Sequence, residues 1–363
     1  MAASNRIYTP DDLMANRASS VVSLGYENIL NSVTAYGNFI AKDTAEQLSM
    51  FVEDTPNSRE FWGGVGHLKF TKAGAFGKTE TQLEIKDQEV QFPIDKLVCS
   101  QGWNTEFWKR ANALEARKLM LDLDNAYNQR VRDEIQRAIF RSTARPAWKS
   151  EIYGYLGTLD KIQPFVNADG NNIPDAPNGT TFAGATHNHY LAVTGASVAY
   201  TDVDYLLGHV MEHVPGKIIL FVDPAMPATL TALASTKFVY NQYTNVISKT
   251  TADIGKVATI DGEVDRSNLF IGTWNGFEVH TRSWVPTGYM AAISVNANDK
   301  PIHRRIDPMF EGMQTDGLFS DGRMSNQMWF TYQGYAVFNR VAGACLDTTH
   351  QATYSDPSTI LTD

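Results

Sequence analysis

Cysteine is almost missing from this sequence: Cys99 and Cys345 are the only two in 363 residues, and neither sits in a paired metal or redox motif. Two buried, reduced thiols in a chain made in the cytosol are expected. Long apolar runs are missing too. The longest candidates, such as Ile218 to Val222, are strand-sized, far short of the ~20 residues that span a bilayer. The first ten residues contain no apolar core of a secretory signal. An excess of positive charge is also absent, since 31 Lys and Arg stand against 40 Asp and Glu, a formal net charge of -9. A sequence-specific DNA reader carries a basic patch and a basic total, so tight direct DNA binding is disfavoured. Enclosure of nucleic acid is not, because a wall that makes few phosphate contacts holds DNA without sticking to it.

Catalytic signatures are lacking as well. There is no Gly-x-Ser-x-Gly elbow, no phosphate loop ending in Gly-Lys-Ser/Thr and no dinucleotide fingerprint. Gly63-Gly-Val-Gly66 precedes a strand pattern instead of opening a helix, so it is no phosphate cradle. The adjacent Arg304 and Arg305 read as a solvated or ion-paired surface. Histidine comes nearest to chemistry. Four of the eight lie close together in sequence: His187, His189, His209 and His213. His187-Asn-His189 places two rings on one face of a strand. His209 and His213 are one helical turn apart, with Asp202 near the same edge. Such spacings can hold zinc or a similar ion. The pattern is not His-Glu-x-x-His, however, and its edge flanks an apolar stripe where histidines commonly satisfy a neighbour. No catalytic residue, cofactor or metal ligand is assigned.

What the chain does have is a globular balance, 43% hydrophobic and 20% charged, with length for two modest domains or one large one. Residues 1–65 read as a weakly patterned arm with one short helix, because Gly25 and Gly37 interrupt the spaced apolar residues of Ser20 to Ile40. Residues 66–98 read as a long β-hairpin turning at Lys72-Ala-Gly-Ala-Phe-Gly-Lys78. Its arms carry both signs of charge, Lys69, Lys72 and Lys78 against Glu80 and Glu84, and its tip offers one large apolar group, Phe76. A two-stranded ribbon is marginal alone in water, so it needs a neighbour.

The strongest helix signal spans Asn104 to Arg145. Leu119, Leu123, Tyr127, Val131, Ile135 and Ile139 recur every fourth residue, and Phe107, Ala111, Leu114 and Leu121 extend the apolar face. Asn104 suits the N-cap, and Pro146 stops the run. About 40 residues at ~1.5 Å each make ~60 Å. A round globule of this length is only ~53 Å across, so either the helix breaks or bends, or the molecule is elongated around it. Residues 146–196 are rich in Gly, Asn and Pro and read as a loop insertion. From 201 to 325 an α/β pattern follows: a helix opened by Thr201 and Asp204, a buried strand at 218–222, and a hairpin turning at Asn275-Gly276. A late strand from Met328 to Val341, broken at Gly334, is too apolar to stand alone and is expected to return under the long helix, with Phe330, Tyr335 and Val337 in the sheet that carries its ladder.

This order of arm, charged hairpin, long helix, α/β unit and returning strand resembles the major capsid protein family of tailed bacteriophages. The stretches carrying the likeness are Phe107 to Arg141, His67 to Asp95, Ile218-Ile-Leu-Phe-Val-Asp-Pro-Ala-Met, Leu269 to Val279, Trp284 to Met290 and Tyr335-Ala-Val-Phe-Asn-Arg-Val. The resemblance implies an elongated α+β fold. Its parts would be an N-terminal arm (1–65), an extended loop (66–98), a peripheral domain with a spine helix (99–200), an axial domain (201–325), and a return strand with tail (326–363). It implies a non-enzymatic shell protein, without cofactor or membrane, that forms hexamers and pentamers in the virion, assembled in the bacterial cytoplasm. Its partners would be further copies of itself, a separate scaffolding protein, a portal and decoration proteins, and the shell would enclose double-stranded DNA. Lys69, Lys72, Phe76, Lys78, Glu80 and Glu84 would then contact a neighbouring subunit. An encapsulin-like compartment shares that fold, and a histidine-dependent metalloenzyme is the rival of another class.

Overall fold

A computed structural model describes residues 6–62, 88–146, 161–214, 216–233, 237–240, 269–295, 300–320 and 324–360. Helices α1 (Pro10–Ala15), α2 (Val21–Leu24) and α3 (Tyr26–Leu48) come first. Strands β1 (Val52–Thr55), β2 (Arg59–Trp62), β3 (Gln88–Gln91) and β4 (Asp95–Asn104) precede helices α4 (Thr105–Arg110) and α5 (Ala113–Phe140). Then come β5 (Arg145–Pro146), β6 (Lys161–Ile162), β7 (Tyr190–Val193), α6 (Tyr200–His213), β8 (Ile218–Val222), α7 (Met226–Leu233) and β9 (Phe238–Tyr240). Strands β10 (Phe270–Trp274), β11 (Phe277–Thr281), β12 (Tyr289–Ser294), β13 (Ile302–Ile306), β14 (Gln314–Ser320), β15 (Met324–Val337) and β16 (Gly343–Gln351) complete the chain.

The first segment is more ordered than its pattern suggested. Thr9 caps α1 through a reciprocal bond with Asp12, with Pro10 in the first turn. Gly25 does end α2, at φ +87°, a conformation that suits glycine. Gly37 interrupts nothing: it lies inside the 23-residue α3. A Cβ there would meet Met313 Sδ at 2.4 Å, so the missing side chain is what admits Met313 to this face, beside Leu123 of α5. Ile29, Val33 and Ile40 of α3 are buried in the same cluster as the α5 ladder.

The long helix is broken. Asn112 is extended, and its side-chain oxygen accepts from the amides of Leu114 and Glu115 at 2.9 and 3.3 Å. The Glu115 carboxylate accepts from the Asn112 amide at 2.8 Å. This capping box starts α5 afresh, and the arm occupies the gap, with Val21 N donating to Ala111 O and Ala113 N to Ser19 O. The cap therefore belongs to Asn112, whereas Asn104 ends β4, a strand the sequence pattern did not reveal. Leu119, Leu123, Tyr127, Val131, Ile135 and Ile139 are all buried. Phe107 and Leu114, expected to extend that face, are exposed. Phe107 lies before the break, which resets the helix phase, while Leu114 sits in the first turn of α5 off the buried stripe; Ala111, just before Asn112, is buried as expected.

Two larger sheets frame the core. In the five-stranded sheet, β15 pairs antiparallel with β4 over Met324 to Gln333, with β14 over Ser325 to Phe330, and with β13 over Gln333 to Val337. β13 in turn pairs parallel with β1. Trp329, Tyr335 and Val337 alternate onto the α5 side and share its core cluster. Phe330 does not join them: it stands on the opposite face, where its ring packs on Tyr332 and Lys96. β15 also runs unbroken through Gly334, where a Cβ would come within 2.3 Å of the Pro93 carbonyl oxygen.

The second sheet has seven strands in the order β7-β16-β12-β8-β11-β10-β9. Its centre is buried on both faces. Ile219, Phe221, Tyr289, Ala291 and Ile293 face the α5 cluster, while Ile218, Leu220, Val222, Met290 and Ala292 face α6 and α7. The β10–β11 turn places Asn275 at φ 48° and Gly276 at φ 90°, both positive as a type I′ hairpin requires. The end of α5 docks on this sheet. The Ile139 carbonyl accepts from the Tyr190 hydroxyl at 3.1 Å and the Cys345 thiol at 3.3 Å, and the Phe140 carbonyl accepts from the Tyr354 hydroxyl at 2.7 Å. Terminal helix carbonyls have no partners within the helix, so these side chains supply them. Among the described residues, no helix is long and apolar enough to cross a membrane.

Candidate functional site

The four clustered histidines converge in space. The backbone of His189 is pinned on both sides, its amide donating to Val166 O and its carbonyl accepting from Cys345 N, both at 2.8 Å. This sets the ring at the entry to β7. His187, two residues earlier, is held by its amide bond to Ala183 O at 3.0 Å. Helix α6 turns Val203, Leu206, Leu207 and Val210 into the core, leaving His209 and His213 on the flank of that stripe. His187 Nε2 lies 3.1 Å from His189 Nε2 and 2.8 Å from His213 Nε2. His209 stacks on His187 with centroids 5.2 Å apart and planes 19° apart. Phe182 packs on the rings of His187 and His213, 4.7 and 4.1 Å between centroids.

His189 is fully buried, and its Nδ1 stands 2.7 Å from the carbonyl oxygen of Gly343. Burial, with the neighbouring imidazoles, pushes its protonation well below the ordinary histidine range. The same two causes bring His213 down to about 3. His187 and His209 are also lowered, chiefly by burial. The cluster is therefore uncharged at neutral pH, with ring nitrogens available as lone-pair donors. Among the described residues, one group of His, Cys, Asp or Glu has ligand atoms close enough together to hold a metal ion, namely His187, His189 and His213.

Asp202 is not part of it. Its carboxylate caps α6, accepting from Ala199 N at 2.8 Å and Thr194 Oγ1 at 3.0 Å. The helix accordingly starts at Tyr200, and the expected Thr201–Asp204 box is not the cap: Asp204 instead accepts from Trp274 Nε1 at 2.9 Å and pairs with Lys237. Arg304 is ion-paired, its guanidinium bound to both oxygens of Asp54 at 2.7 and 2.5 Å. Two participants in the histidine cluster escaped the sequence reading. Phe182 could have been noticed as the one aromatic residue between Asn167 and Thr186. Gly343 contributes a backbone carbonyl, which no side-chain pattern can announce.

Lys69, Lys72, Phe76, Lys78, Glu80 and Glu84 lie outside the described residues. What flanks them is described: β2 and β3 pair antiparallel, Arg59 opposite Gln91 and Trp62 opposite Gln88, so the segment between them leaves and returns at one place. Large apolar side chains are exposed at several places, among them Phe39 on α3, Phe61 on β2, Val98 on β4, Val239 on β9 and Met309. Met14, Val22, Phe107 and Leu114 occupy α1, α2, α4 and the start of α5, while Tyr205 and Met211 project from α6. Contiguous apolar patches mark contact faces, whereas singly scattered side chains of this kind are ordinary on a protein surface.

Among solved structures, the chain is similar to one of Mycobacterium phage Patience, with a TM-score of 0.61 at 16% identity over 90% of each chain. The capsid of Ralstonia phage GP4 matches with a TM-score of 0.49 at 12% identity, over 87% of this chain and 90% of that one. The chain has the tailed-phage capsid fold. This capsid fold is α+β, with the long helix packed on a sheet as its sequence order implied. The holo encapsulin complex from Synechococcus elongatus PCC 7942 is matched with a TM-score of 0.39 at 14% identity, over 84% and 88% of the two chains. No family model and no curated protein sequence matches the chain.

Proposed function

We propose that the chain is the major capsid protein of a tailed, double-stranded DNA bacteriophage, a structural subunit that assembles into hexamers and pentamers of a closed head. The capsid fold over nine-tenths of the chain carries this reading. Three further features support it. The net charge of -9 suits a wall that encloses DNA and does not grip it. Apolar side chains on α1, α2, α4 and α6 are exposed in the single subunit, as future contacts between subunits would be. The 63–87 segment leaves and returns through the β2–β3 pair, as an arm reaching a neighbour would. On this reading Lys69, Lys72, Lys78, Glu80 and Glu84 fix the register of that arm by charge complementarity, and Phe76 anchors its tip. Portal, scaffolding and decoration proteins are its partners in the virion.

The test is assembly. Replacing residues 72–79 with a short Gly-Ser turn should leave a folded subunit with an unchanged circular dichroism spectrum and abolish closed particles in electron micrographs. Normal shells from that variant would remove the arm from the assembly role. Particles whose absorbance ratio shows protein cargo and no nucleic acid would make the shell a compartment of the encapsulin kind.

A further inference from the structure

We propose that His187, His189 and His213 form a zinc site that staples the loop before β7 to helix α6. The argument rests on proton bookkeeping among three ring nitrogens. The Gly343 carbonyl can only accept, so His189 Nδ1, 2.7 Å away, carries the hydrogen. A neutral ring has one such hydrogen, which leaves His189 Nε2 with a bare lone pair. That lone pair faces His187 Nε2 at 3.1 Å, and the same His187 nitrogen faces His213 Nε2 at 2.8 Å.

Without an ion, the arrangement is frustrated. If His187 Nε2 carries a hydrogen, it can donate well to only one of its two neighbours. If it is bare, it accepts from His213 and confronts the His189 lone pair. A cation among the three nitrogens turns every one of these contacts into a bond. The spacing suits one: tetrahedral zinc with Zn–N of ~2.05 Å places its nitrogen ligands about 3.3 Å apart, a few tenths of an ångström wider than the two short contacts here. His213 Nδ1 is buried and has no hydrogen-bond partner, so nothing obliges that ring to keep its hydrogen on Nε2. The Gly343 carbonyl does for His189 what an outer-shell acceptor does for metal-bound histidines generally, fixing tautomer and ring orientation.

Three imidazoles favour zinc or a neighbouring divalent transition ion over magnesium or calcium, which prefer oxygen. Three imidazoles fill three tetrahedral positions and leave the fourth to a water; with Phe182 and His209 packed against the rings, the part proposed for the ion is to tie the loop to the helix. The ligands come from two distant parts of the sequence, residues 187–189 and the last turn of α6, and His189 ties them to β16. A metal here closes a loop that otherwise rests on backbone bonds.

The experiment uses the untagged full-length chain, stripped with a chelator and titrated with zinc and, separately, cobalt(II). The expected result is one tightly held zinc per chain by elemental analysis, a rise in melting temperature on loading, and the intense visible absorption of tetrahedral cobalt. His187→Ala, on the more exposed member, and His213→Gln should each weaken zinc binding by at least the roughly 10–100-fold that losing an outer-shell partner costs, and should remove the thermal shift. The cobalt spectrum is read on the wild-type chain, so a variant that fails to fold does not leave the question open. Sub-stoichiometric zinc in the wild type, absence of the tetrahedral cobalt signature, or retention of zinc by a folded double variant would overturn the site. Assembly of shells is measured separately and bears only on the capsid reading.

Discussion

The phenol of Tyr127, midway along α5, donates to the side-chain oxygen of Gln333 on β15 at 3.3 Å, across 206 residues of sequence. Beside it Tyr335 is wholly buried on the same strand face. The bond locates the helix over the sheet, and the aromatic ring fills the space between them.

Truncating Tyr335 to alanine should therefore destabilise the subunit by ~3–5 kcal/mol, the usual cost of deleting a buried aromatic. Against a total of about 5–15 kcal/mol, aggregation on expression is expected. Tyr127→Phe removes only the hydroxyl and should cost ~0.5–1.5 kcal/mol. Urea denaturation of the soluble subunit measures both, and equal losses for the two variants would contradict the packing described.

Gly334→Ala should be clearly destabilising, though less so than the core truncation, despite adding one methyl group. The new carbon would lie 2.3 Å from a backbone oxygen of Pro93 and 2.8 Å from its carbonyl carbon, atoms that cannot swing aside. A loss of ~1–3 kcal/mol is expected, seen as a lower denaturation midpoint. An unchanged midpoint would mean that β15 and the Pro93 segment do not touch.

The carboxylate of Asp347 gives the subunit an acid-sensitive joint. Burial raises its protonation tendency, but bonds from the Thr349 hydroxyl and amide, from His350 and from the Ser355 amide outweigh it, and the group is held below the usual aspartate range. A lowered folded-state value means stability present above the unfolded value near ~4 and lost as pH falls through the folded one. Asp347→Asn should be less stable than wild type at neutral pH, and the difference should shrink at lower pH. Melting temperatures between pH 7 and pH 2.5 test this, and a gap that stays constant across that range would refute it.

The two thiols should behave differently. Cys345 is fully buried, burial drives its ionisation far up, and its S–H is committed to the Ile139 carbonyl. Cys99 is half-buried. A thiol reagent should label at most Cys99 in the folded subunit and both cysteines only after denaturation. Rapid native labelling of Cys345 would show that the joint between α5 and β16 opens readily.

Periodicity made the spine ladder, the 218–222 strand and the Asn275-Gly276 turn readable, because each depends on neighbours in sequence. The length of the run implied a break or an elongated molecule but did not place the break: Asn112-x-x-Glu115 is a local capping-box pattern inside a continuous apolar run, and the Ser19 carbonyl and Val21 amide that bond the chain there come from far upstream. Gly37 misled for a related reason. A glycine in a helix signals weakness locally and a close approach tertiarily, and only Met313 decides which. Phe330, Tyr335 and Val337 do lie in the sheet that carries the ladder, but the supposed break at Gly334 is absent, and continuous alternation puts Phe330 on the face opposite Tyr335 and Val337. The histidines were visible as a group, but their convergence depends on the chain between His189 and α6 folding back, which spacing does not encode.

The end of α5 is held by a hydroxyl from β7, a thiol from β16 and a phenol from the tail, all aimed at its last two carbonyls. Seen as mechanics, this is a welded joint. The helix end is thereby tied to the β7–β16 edge of the seven-stranded sheet and to the tail beyond it. A three-point tie of this kind leaves the helix end little freedom to swing away from that edge of the sheet.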